Sequence, residues 1–134
     1  MKALIKVLIF FSLIFASVHC MAVNNKWLNE ASEMTWGDAM SYCNSVGASL
    51  PTENQMKQEI VACGGKVEGN YWPQENEINK KYQSCIAGKG FEGDYWTSTP
   101  NSQTAECASD VYFRTGQSGC AMKTEALRVR CVAK

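Results

Sequence analysis

Met34-Thr35-Trp36-Gly37-Asp38-Ala39-Met40-Ser41-Tyr42-Cys43 is the stretch on which the reading of this chain turns. Thr35 stands where a helix N-cap belongs, three residues before Asp38, whose carboxylate suits the positive end of a helix. Trp36, Ala39, Met40 and Cys43 then recur on one helical face. This predicts a helix that ends at Gly47 and carries Cys43 into the core beside Trp36 and Met40, where a buried disulfide would sit.

Downstream, Pro51-Thr52 opens a second helix. Thr52 and Gln55 have the spacing of a capping box, Met56, Ile60 and Cys63 follow at helical intervals, and Gly64-Gly65 stops the run. Residues 64–93 then read as a long polar loop insertion. It carries Tyr71-Trp72-Pro73 among Glu, Asn and Lys, and Cys63 and Cys85 flank most of it, as a tie at its base would. The remainder reads as strands. Tyr95-Trp96-Thr97-Ser98-Thr99 ends at Pro100-Asn101, and Val111-Tyr112-Phe113 precedes a turn over 115–119. Leu127-Arg128-Val129-Arg130-Cys131-Val132 alternates, with Leu127, Val129 and Cys131 inward. Two helices followed by a small twisted antiparallel sheet make an α+β plan.

Upstream, Lys2 and Lys6 precede an apolar run from Val7 to Ala16, too short for a membrane span of about 20 residues. With Cys20-Met21-Ala22 behind it, this predicts a signal peptide over 1–22 and one domain over 23–134. The alternative, lipidation at Cys20, is disfavoured by His19, which stands where a small residue is expected. Cleavage after Ala22 removes one of the seven cysteines. The even remainder, in an exported chain with no Cys-x-x-Cys, reads as a disulfide framework with about 15 connectivities open. Export places the mature chain outside the cell, at the cell surface or in the periplasm, with no stable membrane span.

The single histidine, His19, leaves with the signal. Histidine-dependent catalysis and His-ligated zinc are therefore excluded. Without Lys2 and Lys6 the mature chain has 11 basic and 13 acidic residues and no basic cluster, so nucleic acid has no electrostatic footprint. Carboxylates at Glu75, Glu77, Glu92 and Asp94 lack any positioned partner for acid–base work, so no enzyme is expected.

The first-helix segment and Gly47-Ala48-Ser49-Leu50-Pro51-Thr52 resemble the C-type-lectin-like fold. Tyr95–Thr99 and Leu127–Val132 are similar to the corresponding strands of a bacterial domain typified by the C-terminal domain of a collagen-like adhesin. The resemblance implies bridges Cys43–Cys131 and Cys107–Cys120, leaving Cys63–Cys85 to staple the insertion. The first closes the longest loop and contributes about 4–5 kcal/mol in the chain-entropy model, the others about 3. It also implies a secreted or surface recognition module for a glycan or protein ligand on a cell or matrix surface. A small structural or assembly subunit of an exported complex is the alternative.

Sugar-binding members hold Ca²⁺ with Glu-Pro-Asn or Gln-Pro-Asp and a later Trp-Asn-Asp. This chain has Thr99-Pro100-Asn101 and, before Cys120, Gly116-Gln117-Ser118-Gly119. No metal or other cofactor is therefore expected, and binding should be calcium-independent. The candidate contacts are the aromatic pair Tyr71 and Trp72, as a stacking platform or protein anchor, and the amides of Asn70, Asn76, Asn101, Gln103 and Gln117.

Overall fold

Both helix starts are built from the groups the sequence offers. In the computed structural model, which describes residues 25–67 and 72–134, Thr35 Oγ1 accepts from Asp38 N at 3.5 Å ahead of α1 (Trp36–Ser45). Thr52 and Gln55 close a reciprocal capping box, at 2.9 and 3.1 Å, ahead of α2 (Glu53–Ala62). Gly47 and Gly64, at φ 72° and 85°, turn the chain out of each helix in a conformation that only glycine adopts without strain. The signal segment 1–22 and residues Asn70 and Tyr71 lie outside the described residues.

The α1 face differs by one residue from expectation. Ala39 and Cys43 are buried, whereas Met40 is half outside. Small Ala39 lets the helix lie close on the sheet, and that close packing turns Met40 away from the contact. Trp36 packs at the margin and donates its indole N–H to Thr97 O at 2.9 Å, while Trp96 is fully buried and donates to Met34 O at 2.9 Å.

The strands are β1 (Trp27–Met34), β2 (Ala48–Ser49), β3 (Asp94–Pro100), β4 (Cys107–Tyr112), β5 (Gln117–Met122) and β6 (Leu127–Ala133). Their order is β1-β6-β3-β4-β5, with β2 also on β6. The sheet is mixed rather than wholly antiparallel. β6 pairs with β1 along its length and meets β3 at one register pair, Tyr95 with Arg128, in the parallel sense. β1 escaped the sequence reading because two register shifts interrupt its alternation.

Successive strand residues face opposite sides, and this divides the core. Trp96, Ala108 and Val129 join Ala39 and Cys43 under α1. Tyr95, Val111 and Phe113 join Met56 and Ile60 of α2 on the other side. Phe91 stacks on Phe113 there, with centroids 4.3 Å apart.

The expected loop over 64–93 is in fact helical in large part. It forms α3 (Pro73–Ile78) and α4 (Lys80–Gly88). Asn79 Oδ1 caps α4 by accepting from Tyr82 N at 3.0 Å, and Tyr82 and Ile86, four residues apart, fill the α2-side core. Burying each such side chain contributes about 1.5–3 kcal/mol, enough to order a polar segment around a few anchors. The three bridges are Cys43–Cys131, Cys63–Cys85 and Cys107–Cys120, the pairing the resemblance implies.

Candidate functional site

β3 ends at Pro100, and the chain reaches β4 through a short turn closed by Asn101. Its Oδ1 accepts from Gln103 N at 2.8 Å and Thr104 N at 3.3 Å, an Asx-type turn. The exposed Gln103 stands on that turn. Between the turn and the β4–β5 hairpin lies a groove of about 370 Å³, lined by Pro100, Asn101, Gln103, Ser109, Ser118 and Glu53 among others.

Glu53 is the ionic centre of the groove. It comes from the first turn of α2, where Ser109 Oγ donates to its Oε2 at 2.7 Å and Lys57 Nζ lies 2.7 Å from Oε1. Burial pushes its carboxyl up, but hydrogen bonds from Lys57, Ser109 and Ser118 outweigh this and hold it below its ordinary value. The groove thus offers an acceptor that is anionic at neutral pH, three serine hydroxyls and two amides, groups able to hydrogen-bond a polar ligand. Thr99 Oγ1, beside Pro100, accepts from Glu53 N at 2.9 Å, binding the loop to α2. Among the described residues no three His, Cys, Asp or Glu side chains converge as a metal site.

The other candidate residues are dispersed. Gln117 is exposed, but alternation along β5 turns it to the face opposite Ser118, away from the groove. Trp72 is 75% exposed at the head of α3, and Ile78 at its end is 78% exposed. Asn76 is turned into the protein rather than to solvent. It is 1% exposed. Its Oδ1 accepts from Lys66 N at 2.9 Å, and its Nδ2 donates to Lys66 O at 2.7 Å and Thr115 O at 2.8 Å. A buried amide must be satisfied, and here it is satisfied by backbone that it clamps.

The four carboxylates have separate surroundings. Glu75 accepts from Lys66 Nζ and Trp72 N, which holds its carboxyl below the ordinary value. Glu77 and Glu92 line a second cleft of about 600 Å³, where Glu77 lies 3.8 Å from Arg114 and Glu30 lies 2.7 Å from Arg128. Asp94 is pushed up to about 7 by burial and by a hydrogen bond with Asp110, its diagonal neighbour on β4. Sequence reasoning missed Glu53, Ser109 and Ser118. Ser109 and Ser118, inward from either end of their hairpin, were the available signal, but only the fold brings α2 against them.

With this geometry in view, the comparisons with known proteins are specific. The family model described as "Lcl C-terminal domain" matches residues 19–133. The chain belongs to the Lcl C-terminal domain family. Among solved structures it is similar to TC14, a C-type lectin from the tunicate Polyandrocarpa misakiensis. That match has 16% identity and a TM-score of 0.48, over 83% of this chain and 98% of that one. No curated protein matches. As an Lcl C-terminal domain, the chain has a C-type-lectin-like arrangement in which the first helix is bridged to the last strand and the β4–β5 hairpin is bridged to itself. Among the described residues, no helix is long and apolar enough to cross a membrane.

Proposed function

We propose that this Lcl C-terminal domain is an exported recognition module that binds a glycan without calcium in the groove between the Asn101 turn and the β4–β5 hairpin. One observation carries the reading. The ionised Glu53 carboxylate sits among Ser109, Ser118, Asn101 and Gln103, while Thr99 is engaged with the α2 backbone instead of a cation. Carboxylate and amide groups fixed by a rigid scaffold discriminate sugar hydroxyls through directed hydrogen bonds. Family and fold support a binding role rather than turnover, and the three bridges suit an oxidising location outside the cytoplasm. The domain then acts as an adhesin, secreted, at the cell surface or in the periplasm after removal of residues 1–22.

The alternative, an assembly subunit with a protein partner, draws on the exposed Trp72 and Ile78, large apolar groups of the kind that anchor protein interfaces. A glycan and matrix-protein array probed with oxidised residues 23–134, with Ca²⁺ and with EDTA, separates the two. The groove reading predicts glycan binding that survives EDTA, falls at least about tenfold in Asn101→Ala/Gln103→Ala, and is unchanged in Trp72→Ala. Loss of binding in EDTA, or dependence on Trp72 alone, would overturn it. Protein binding abolished by Trp72→Ala would support the subunit.

A further inference from the structure

The ladder between β3 and β4 breaks at one place. Trp96 pairs with Asp110 and Pro100 with Ala108, so Thr97, Ser98 and Thr99 together stand against a single residue, Ser109. This is a bulge, which bends a strand and re-aims the side chains around it. Ser109 lies opposite it, and the Ser109 hydroxyl is the one that donates to Glu53 in the groove. The polar groups of the bulge are not left open. Thr97 is fully buried; its hydroxyl donates to Ser109 O at 2.8 Å and accepts from Thr99 N at 3.2 Å. One side chain thus takes over bonds that a regular ladder would make between backbones. Ser98 N donates to Pro51 O at 2.7 Å, and Thr99 Oγ1 accepts from Glu53 N at 2.9 Å. Both bonds fasten the bulge to the start of α2, the turn that carries Glu53.

We propose that Thr97 is the positioning residue of the groove: by holding the bulge in β3 it sets Ser109 and Glu53 against the Asn101 turn. This role rests on the glycan reading of the groove, in which Thr97 shapes the site without touching the ligand. Two routes run from its hydroxyl. One passes through Ser109 O and fixes the β4 residue whose Oγ holds Glu53 Oε2. The other passes through Thr99, whose amide Thr97 holds and whose own hydroxyl accepts from the first α2 amide, that of Glu53. Both routes reach the same carboxylate, one at its side chain and one at its backbone. Both depend on the hydroxyl, whereas the Thr97 methyl only fills space. Valine keeps the shape of threonine and removes both bonds; serine keeps both bonds and removes the methyl. The two substitutions therefore separate hydrogen bonding from packing.

The first readout needs no ligand. Carbon NMR on oxidised residues 23–134 follows the titration of the Glu53 carboxyl, which Lys57, Ser109 and Ser118 hold low. Thr97→Val should raise that titration toward the ordinary carboxylate value and speed amide exchange at Thr99 and Glu53 at least about tenfold. Thr97→Ser should restore both. Asn76→Ala, in the insertion, should lower stability without moving the Glu53 titration, which separates positioning from a general loosening of the fold. Glycan affinity should fall at least about tenfold in Thr97→Val and recover in Thr97→Ser. Should Thr97→Val fail to fold, Thr99→Val, which removes only the acceptor for Glu53 N, reads the same bulge from its half-buried end and should produce the same shifts at smaller size. A Glu53 titration unmoved in the valine variants, or a serine variant no different from valine, overturns the positioning role while leaving the groove reading intact. If no glycan binds the unaltered protein, the groove reading falls, and the ligand-free titration still decides whether Thr97 sets Glu53.

Discussion

The 64–93 insertion and the 101–106 turn look alike in sequence, since both are polar and amide-rich, but they handle those polar groups in opposite ways. The insertion turns its amide inward: Asn76 is buried and holds the backbone at Lys66 and Thr115, while Tyr82 donates to Phe113 O beneath it. The turn uses one amide oxygen to close itself and leaves the Gln103 side chain in solvent beside the Glu53 groove. Polar composition therefore locates segments that are not core, without saying whether their polar groups face water or backbone. Burial decides which of two chemically identical amides can meet a ligand.

The comparison breaks most visibly at the staple. Cys63→Ala/Cys85→Ala should cost about 3 kcal/mol in urea unfolding, since the bridge closes the insertion, yet leave binding in the groove within about twofold. An equal loss of binding would mean that the insertion, not the turn, meets the ligand. Asn76→Ala should cost about 2 kcal/mol by removing three hydrogen bonds to the backbone of Lys66 and Thr115. Gln103→Ala should stay within about 0.5 kcal/mol while weakening binding. Chemical denaturation of the two single variants side by side would expose a reversal.

A further prediction concerns the face of the sheet opposite the groove. Asp94 has a pKa of about 7 in the folded chain against 3.8 unfolded. The folded state therefore holds a proton that the unfolded state has released. Its contribution is complete below pH 4 and is lost as pH rises through 7. The urea midpoint should be higher at pH 5 than at pH 8, and Asp110→Asn, which can donate to the Asp94 carboxylate, should flatten that difference. An unchanged slope in the variant would show that the pair does not share a proton.

Much of the frame was legible because its signals are local. Thr35, Thr52, Gly47 and Gly64 act within one helical turn, and the alternation of Leu127–Val132 needs only one buried face. α3 and α4 were not legible as helices, because their inward residues include a polar Asn76 and too few apolar neighbours. The Asn79 cap followed by Tyr82 and Ile86 was the trace they left. The groove was half legible. Asn101 and Gln103 lie on one turn, but Glu53 reaches Ser109 across 56 positions of sequence, a distance only the fold closes.

The Cys43–Cys131 bridge has a mechanical meaning as well. β1 and β6 run antiparallel, and Ala133 N reaches Lys26 O at 2.8 Å, so the strands at either end of the described fold lie at one pole. Tension applied at that pole can peel β1 from β6, but on reaching Cys43 it meets a covalent bond. Residues 44–130 hang within the loop that this bond closes and bear no load. The groove and the inner staples lie inside it, so force applied at that pole would unzip the flanks while leaving the groove's geometry intact.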